Sequence, residues 1–546
     1  MVVHRSPLPD VVIPTHMTLS EFVFENVEAK ASRISFIDGI TQKSTTFGEL
    51  WQRIRRTAAG LQQLGLQKGE VVGVWSPNHV DYVVAFHATI LAGGTITTLN
   101  PIYTPHEVAF QLDNSEAHYL VTLPSFVPKV AEAQQTYKGL REVFLLGDEP
   151  VNGFRLLQSL EINAEPTKVP IVPSVDVCAL PYSSGTTGLP KGVMLTHTNI
   201  IANISQCTSG GNHIGLRSSD ALLAVLPFYH IYGMVVMMNN SIRVGAKCIS
   251  MPSFDPEPYL KNLKLHKVTI AYVAPPLVQF LAKAPLVDQY LPFPDLKELF
   301  CGAAPLGVAL SQAAQDRLGM HVAVRQGYGM TELSPVSHAD WAKGPTLGSI
   351  GVLVPNMECK IVNPDTGKLQ PVGTEKERGE IWVRGLNVMK GYHRNEKATR
   401  ETIDADGYLH TGDIGFVDDK GIYYIVDRLK ELIKAKGFQV APAELEALFV
   451  KHPQVADAAV IGAPADKYGG READGEVPKA FIILQPGATI TKSELSAWLA
   501  PQVVSYKNVS PHAIDFVESL PKSASGKILR KDLREIEKTL PPKSKL

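Results

Sequence analysis

The amino-acid sequence predicts an α/β protein with a large N-terminal domain of parallel-rich sheets covered by helices and a smaller α+β C-terminal domain. Two observations support this prediction. Through most of the first ~350 residues, short apolar runs alternate with helical patterns, as expected for parallel strands joined by helices. From about residue 348 onward, short strands of alternating polarity and glycine turns predict a small antiparallel, barrel-like unit before the C-terminal domain.

The N-terminal elements follow from hydrophobic periodicity. Residues 71–75 are an apolar run typical of a buried strand, and residues 80–91 carry a helical pattern that a pair of glycines ends. Residues 221–226 and 269–273 repeat the strand pattern, and each is followed by proline and a helical stretch. We therefore expect strands and helices to alternate through this domain.

The C-terminal elements are shorter. Strands are predicted at residues 358–362 and 379–383, and the turn at 418–421 predicts a hairpin. The elements predicted for the last domain are helices at 442–451 and 492–499 and strands at 457–461 and 479–484.

The composition is that of an ordinary globular protein and argues against several function classes. The 546 residues are 45% apolar and 20% charged, which suits a chain of more than one domain. A net charge of −1 offers no electrostatic footprint for nucleic acid or for an acidic membrane surface. The five cysteines are odd in number and lack a CxxC pair, which argues against a disulfide framework or a zinc site. No window approaches the ~20 apolar residues of a membrane-spanning helix.

The most informative segment is a loop rich in glycine and hydroxyl side chains between Tyr182 and Val193. Backbone N–H groups and hydroxyls in such a loop can surround phosphate oxygens, and Lys191 adds a positive charge. The loop is not a Walker A motif, because Gly192 rather than serine or threonine follows the lysine. The alternative is a flexible turn between a strand and a helix. The predicted phosphate-binding residues are Ser183, Ser184, Gly185, Thr186, Thr187 and Lys191.

This loop resembles the AMP-binding signature of the adenylate-forming enzymes, which include acyl-CoA synthetases, 4-coumarate–CoA ligases and firefly luciferases. Blocks at residues 328–332, 411–413, 427–434 and 521–527 agree with that superfamily in order and spacing. Residues 436–446 are most similar to the 4-coumarate–CoA ligase and luciferase branch. The resemblance implies the adenylate-forming fold, ATP-dependent activation of a carboxylic acid as an acyl-AMP, and transfer of the acyl group to CoA.

The resemblance also implies how the chain is divided. Residues 1–426 would form the adenylation domain, residues 427–430 the hinge, and residues 431–543 a mobile C-terminal domain. After rotation about the hinge, this domain would offer basic and small residues to CoA. The residues predicted for that role are Lys434, Lys436 and Gly437, and Lys430 in the hinge is also predicted to bind a cofactor.

Lys527 is the predicted catalytic residue of the C-terminal domain. Gly526 allows the backbone to turn tightly just before it. In the resembled enzymes the lysine of this turn bridges the acyl carboxylate and the α-phosphate. A solvated basic face is the alternative, because Lys522 and Arg530 lie close in the sequence.

The segment after residue 325 is predicted to bind the nucleotide and a metal ion. A hydroxyl at Thr331 can reach the α-phosphate, which would make it a catalytic residue, and the carboxylate of Glu332 can hold Mg²⁺. The alternative is a glycine turn followed by an N-capping threonine and a first-turn glutamate. Nucleotide contacts are also predicted for Gln326, Gly327 and Tyr328.

Asp413 and Arg428 are predicted to bind the ribose of the nucleotide. A carboxylate at Asp413 can accept hydrogen bonds from both ribose hydroxyls. The guanidinium of Arg428 can contact ribose or phosphate, and its alternative is a surface ion pair with Asp427 or Glu431.

The acyl pocket is predicted around His230, whose segment at residues 228–234 resembles the family segment beneath the acyl group. His230 would stack on or gate the carboxylate, and a packed, hydrogen-bonded histidine is the alternative. Small pocket residues would leave volume for an aryl-propenoic, phenylacetic or fatty acid in preference to acetate. The other predicted substrate residues are Tyr232, Gly302, Ala303, Ala304, Gly327 and Met330.

The sequence thus predicts an acid–CoA ligase that uses ATP, Mg²⁺ and CoA, with no nucleic-acid partner and no transmembrane segment. Ser544, Lys545 and Leu546 have the form of a peroxisomal address, which predicts an import receptor as partner and a peroxisomal location; a chance basic tail is the alternative. Three other functions stay open: acyl transfer to a carrier protein, luciferase-type oxidation of the adenylate, and a non-catalytic binding module.

Overall fold

A computed structural model of the chain describes residues 3–183, 190–208, 216–341, 344–436, 438–469, 471, 475–523 and 526–540. Several predicted functional residues lie outside these ranges. They are Ser184, Gly185, Thr186, Thr187, Gly437, Ser544, Lys545 and Leu546.

The first sheet of the N-terminal domain has nine strands and a parallel centre. The parallel run extends from Val177–Ala179 to Arg155–Leu156, and Lys191–Thr196 adds to it in antiparallel direction. Its strands in spatial order are Tyr182–Ser183, Lys191–Thr196, Val177–Ala179, Thr95–Leu99, Val71–Trp75, Ala117–Thr122, Glu142–Leu145 and Arg155–Leu156, with Gly391–Tyr392 beside Lys191–Thr196.

The second sheet also has nine strands and a parallel centre. Six neighbouring strands, from Ala323–Gly329 to Ile34–Asp38, run parallel, and the outer pairs are antiparallel. In spatial order the strands are Val352–Leu353, Val336–Ala339, Ala323–Gly329, Glu298–Cys301, Ile270–Val273, Ala221–Ala224, Lys247–Ser250, Ile34–Asp38 and Ser44–Thr46.

Helices cover both sheets and share one large apolar core with them. Threonines fix the starts of several helices: Thr18, Thr46 and Thr104 each form a capping box with a glutamate three residues later. The helices are Leu19–Val23, Phe47–Gln63, Val80–Leu91, Pro105–Ser115, Val127–Thr136, His197–Thr208, Asn240–Val244, Pro256–Leu265, Pro275–Lys283, Val308–Leu318 and Glu396–Thr402, with a π-helix at Tyr232–Asn239.

A third, five-stranded antiparallel sheet follows. A bridge between Gly351 and Tyr423 joins it to the edge of the second sheet. The predicted hairpin at 418–421 is confirmed, because the strands on either side of it pair directly. The strands are His4–Arg5, Glu358–Val362, Gly379–Arg384, Leu409–Val417 and Tyr423–Arg428.

The C-terminal domain has its own apolar core. Its main sheet pairs Val455–Pro464 antiparallel with Glu476–Leu484, which pairs parallel with Ile514–Phe516. The remaining elements are the hairpin Ile433–Ala435 with Phe438–Val440 and the helices Pro442–Phe449, Lys492–Leu499 and Arg530–Thr539.

The predicted α/β class with a smaller C-terminal domain is confirmed, and the helices predicted at 80–91 and 492–499 have the predicted ends. Gly93, which follows the first of these, adopts φ +92°, as a helix-ending glycine often does. The strand predicted at 457–461 is longer, Val455–Pro464, because its antiparallel pairing continues to the turn. Within the described ranges, no helix has the length and apolar character needed to cross a membrane.

Arg325 ties together the strands that lead to the functional site. Its side chain is 0% exposed, its Nη1 lies 2.6 Å from Glu298 Oε1, and its Nη2 donates to the Asp340 carbonyl at 2.5 Å. Burial raises the pKa of Glu298, and the Arg325 charge opposes that rise. The Arg325 charge therefore favours the ionised form of a carboxylate inside the sheet.

We predict that Arg325→Leu destabilises the N-terminal domain by about 3–5 kcal/mol, because it leaves the Glu298 carboxylate buried without its cation. Urea denaturation followed by tryptophan fluorescence measures this change. Adding Glu298→Leu should recover most of the loss, since the unpaired charge is then removed. Lys261→Ala, which breaks an exposed pair with Glu257, should give no measurable change; an equal loss in that control would contradict the prediction.

Candidate functional site

The site lies where parallel strands of the second sheet reach their carboxyl ends. Strand Ala221–Ala224 leads into the segment that carries His230, and strand Glu298–Cys301 leads directly to Gly302. The neighbouring strand Ala323–Gly329 carries predicted nucleotide-binding residues near its end. Because parallel strands end at the same edge, these segments lie side by side at the usual ligand-binding edge of an α/β sheet.

Three predicted substrate residues form one wall at this edge. The hydroxyl of Tyr232 donates to the Phe300 carbonyl at 2.8 Å, which fixes its ring. A Cβ placed on Gly302 would lie 3.2 Å from that ring and 3.6 Å from the Gly327 carbonyl oxygen. On Gly327 an added Cβ would lie 2.6 Å from the Phe300 ring. Glycine at these two positions therefore lets the Tyr232 and Phe300 rings pack against the ends of the strands.

The side chain of Gln326 has a structural role. Its amide oxygen accepts from the Leu306 backbone N–H at 2.9 Å, and its amide nitrogen donates to the Ser349 carbonyl at 3.1 Å. This side chain joins two loops and does not point a free group at a ligand. The remaining predicted wall residues are exposed Ala303 and half-buried Ala304 and Met330.

His230 is a neutral imidazole. Its Nδ1 accepts from the Tyr232 backbone N–H at 3.3 Å, which leaves the ring proton on Nε2. Burial lowers the pKa of His230 to about 4, and the positive charge of Lys527 acts in the same direction. The ring can therefore donate a hydrogen bond at neutral pH but contributes no charge.

The turn that carries Lys527 is held at both ends. The Ser523 N–H donates to the Lys527 carbonyl at 2.8 Å, and the Lys527 N–H donates to Ser523 Oγ at 3.1 Å. Gly526 has φ +79°, and a Cβ there would lie 2.7 Å from Cγ of Pro276 in the N-terminal domain. Only glycine allows this turn to approach the N-terminal domain so closely.

The electrostatic surroundings of Lys527 are mixed. Burial, and then the Arg428 guanidinium, lower its pKa to about 8, while the carboxylates of Asp413 and Glu431 oppose this shift. A lysine so placed is charged at neutral pH but is poised to lose its proton just above it.

Asp413 and Arg428 face each other across the hairpin of the third sheet. The Arg428 Nε lies 3.2 Å from Asp413 Oδ1, so the alternative of an ion pair with Asp427 or Glu431 is wrong. The hydroxyl of Tyr328 donates to Asp413 Oδ2 at 2.5 Å. Burial, together with this carboxylate, raises the pKa of Tyr328 well above its usual value, so the phenol remains a donor.

The glycine- and hydroxyl-rich loop connects two antiparallel strands, with Ser183 opposite Lys191. The alternative of a turn between strand and helix is therefore wrong, and the two ends of the loop are fixed next to each other. The hydroxyl of Ser183 donates to Glu332 Oε1 at 3.1 Å. This bond joins the loop to the predicted metal residue.

Glu332 is buried, 5% exposed, and its Oε1 also accepts from the Tyr392 hydroxyl at 2.8 Å. Thr331 opens the short 3₁₀ turn Thr331–Leu333 but does not cap it, because Met330 occupies the cap position. Within the described ranges no group of three or more His, Cys, Asp or Glu side chains could hold a metal. A carboxylate with one uncommitted oxygen suits Mg²⁺ only if phosphate oxygens and water complete its shell.

The lysine side chains predicted for CoA lie at the surface. Lys430, Lys434 and Lys436 are exposed, and the Lys434 backbone N–H donates to Glu476 Oε2 at 2.9 Å. In the part of the chain that the structure describes, no hydrogen bond or ion pair joins these side chains to the residues around Lys527.

Sequence reasoning missed Tyr392 and Pro276. Tyr392 lies in a two-residue strand, and its partners Glu332 and Lys191 are far away in the sequence. Pro276 appears only as the start of a helix, although it is the surface that receives the Lys527 turn. Neither residue carries a local signal, because both roles come from tertiary contacts.

Comparison with known proteins identifies the family of this chain. The AMP-binding enzyme family matches residues 23–393, and the AMP-binding enzyme C-terminal domain matches residues 444–527. Among similar proteins, 4-coumarate–CoA ligase 5 of Oryza sativa subsp. japonica is 44% identical, with 97% of each chain covered. 4-Coumarate–CoA ligase 1 of Petroselinum crispum is 40% identical, with 98% of this chain and 96% of that protein covered.

Solved structures agree in fold. The anthranilate CoA ligase AuaEII in complex with anthranoyl-AMP superposes with a TM-score of 0.87 at 27% identity, covering 96% of this chain and 98% of that one. ATP-bound MatB from Rhodopseudomonas palustris gives a TM-score of 0.84 at 29% identity, covering 96% and 99%. The chain therefore belongs to the AMP-binding enzyme family, as an AMP-forming acid–CoA ligase.

Proposed function

We propose that this ligase activates an aryl-propenoic acid of the 4-coumarate type and joins it to CoA. Relatives that share 40–44% identity over nearly the whole chain carry the name 4-coumarate–CoA ligase. Gly302 and Gly327 agree with the proposal, because a Cβ at either position would press on the Tyr232 or Phe300 ring that borders the predicted acyl site.

The observation that carries the proposal is the approach of the Lys527 turn to the N-terminal domain, where a Cβ on Gly526 would lie 2.7 Å from Cγ of Pro276. The positive charge of Lys527 also lowers the pKa of His230, which belongs to the other domain. A carboxylate bound at this junction would have a cation and a neutral N–H donor beside it. Asp413, which accepts a hydrogen bond from Tyr328 and whose charge acts on Lys527, would supply acceptors for the ribose.

In the first half-reaction a carboxylate oxygen attacks the α-phosphorus of ATP, the bond to the oxygen that bridges to the β-phosphorus breaks, and pyrophosphate leaves. We propose that Lys527 stabilises the charge shared by the acyl carboxylate and the α-phosphate, and that Lys191 and Ser183 hold the other phosphates. Thr331 would donate its hydroxyl to the α-phosphate. Mg²⁺, held by Glu332 and the phosphates, would neutralise charge on the pyrophosphate.

In the second half-reaction the CoA thiol sulfur attacks the acyl carbon, the acyl–phosphate bond breaks, and AMP leaves while the thiol proton goes to solvent. We propose that the C-terminal domain turns about residues 427–430 for this step and brings Lys434, Lys436 and Gly437 toward CoA. The proposal is supported by the exposure of the Lys434 and Lys436 side chains, which suits them to CoA phosphates. Peroxisomal import through residues 544–546 stays a prediction.

The test is the release of AMP and pyrophosphate from ATP with a panel of aryl-propenoic, phenylacetic and C6–C18 fatty acids, each with and without CoA. We expect steady AMP formation only with CoA and an aryl-propenoic acid. Turnover with fatty acids alone would overturn the substrate proposal. Pyrophosphate release that CoA does not stimulate would favour a carrier protein or O₂ as acceptor.

We predict that adenylation declines as the pH rises through about 8, because Lys527 must be protonated and its pKa is lowered to about 8. The kcat/KM for ATP reports this ionisation of the free enzyme. Lys527→Ala should abolish adenylation but leave thioester formation from supplied acyl-AMP. Lys527→Arg is the matched control: its guanidinium stays charged, so any residual activity should lack the decline above pH 8. A decline that persists in Lys527→Arg would assign the ionisation to another group.

We predict that Gly302→Ala raises the KM for the acid about three- to tenfold and leaves the KM for ATP unchanged, because the new methyl group lies 3.2 Å from the Tyr232 ring. Steady-state kinetics with each substrate varied in turn measures both constants. Gly307→Ala is the matched control, since a Cβ at that glycine meets no atom within 4 Å. Equal effects of the two substitutions would place the acid elsewhere.

A further inference from the structure

Tyr392 is a buried side chain, 7% exposed, that contacts the two predicted charged residues of the phosphate site at once. Its hydroxyl donates to Glu332 Oε1 at 2.8 Å, and the Lys191 Nζ lies 4.7 Å from the centre of its ring. Burial, and then the Glu332 charge, raise the pKa of Tyr392, so the phenol keeps its proton. The Tyr392 side chain therefore holds the Glu332 carboxylate through its hydroxyl and the Lys191 ammonium through its ring face.

The backbone around Tyr392 is fixed independently of these contacts. Tyr392 pairs with Val193 in the first sheet, only two residues from Lys191, and its N–H donates to Thr399 Oγ1 at 2.9 Å. The Met389 N–H donates to the Glu332 carbonyl at 2.9 Å. The ring is thus carried by a segment that is bonded both to the lysine strand and to the glutamate turn.

Among the described residues, no ion pair links Lys191 to Glu332, although both contact the same tyrosine. Opposite charges this near would attract each other and neutralise the site if nothing lay between them. Both hydrogen bonds to the Glu332 carboxylate, from Tyr392 and Ser183, reach Oε1. Oε2 accepts none from the described side chains and is left for another ligand.

We propose that Tyr392 is a positioning residue that separates Lys191 from Glu332, so that the ammonium is reserved for ATP phosphates and the carboxylate for Mg²⁺. The inference rests on the proposed function only in taking ATP as the ligand of this site. The phenol hydroxyl orients the carboxylate, and the ring face keeps the ammonium from pairing with it. The two halves of the side chain therefore have separable effects.

Equilibrium binding of α,β-methylene-ATP to the full-length enzyme tests this separation. Isothermal titration calorimetry is run with EDTA and across a Mg²⁺ series, with no acid or CoA present. Tyr392→Phe keeps the ring and loses the hydroxyl, so metal-free binding should change little, and the Mg²⁺ concentration for half-maximal enhancement should rise about tenfold. Tyr392→Leu also loses the ring, so metal-free binding should weaken about fivefold as well.

Tyr408 supplies the matched control. It is also buried, its hydroxyl donates to Glu358 at 3.2 Å, and Lys360 Nζ lies 3.7 Å from its ring centre, but these partners lie on the third sheet. Tyr408→Phe and Tyr408→Leu should leave both binding measurements unchanged. The inference is overturned if Tyr392→Phe leaves the Mg²⁺ dependence unchanged, if Tyr392→Leu binds the metal-free nucleotide normally, or if the Tyr408 variants show the same shifts.

The readout is nucleotide binding, so the two proposals can fail separately. An enzyme that shows the expected differences among variants but joins no tested acid to CoA would overturn the proposed function and leave the role of Tyr392 standing. A wild-type enzyme that binds no nucleotide would overturn both.

Discussion

Close approach of backbone segments at the ends of parallel strands is the constraint on which this site depends. Gly327 leaves room for the Phe300 ring, and an added Cβ on Gly329 would lie 2.2 Å from the Pro335 carbonyl oxygen. These contacts draw the acyl wall and the nucleotide loop onto one edge of the second sheet. Arg325, buried beneath them, joins the same strands by charge instead of by packing. A larger residue at either glycine would separate the loops before it touched any substrate.

Charge in the site is distributed so that few groups cancel one another. Asp413 accepts a hydrogen bond from Tyr328 and pairs with Arg428. The charges of Asp413 and Arg428 both act on the pKa of Lys527, in opposite directions. His230 is kept neutral by burial and by the lysine. The cations are thereby left able to meet phosphates and a carboxylate, which carry the negative charge of the reaction. If stability alone decided the arrangement, the charged groups of the site would pair more tightly with one another.

Much of the fold follows from the sequence because its signals are local. The helix at 80–91 is set by apolar spacing and a terminal glycine, and the hairpin at 418–421 by its turn. The roles of Tyr392 and Pro276 depend on contacts between distant segments, so no window of the sequence contains them. The side chain of Gln326 is a similar case: its neighbours in the sequence suggest a ligand contact, whereas its actual partners, Leu306 and Ser349, are backbone groups of other loops.

The contact between Gly526 and Pro276 joins the turn of the predicted catalytic lysine to the other domain. Gln279 adds a hydrogen bond to the Ala456 carbonyl at 3.1 Å. A small apolar cluster of Ile414, Leu432 and Ala441 also spans the two domains. A rotation about the predicted hinge would therefore have to break a turn-to-helix contact, a hydrogen bond and part of an apolar cluster, and remake them in each turnover.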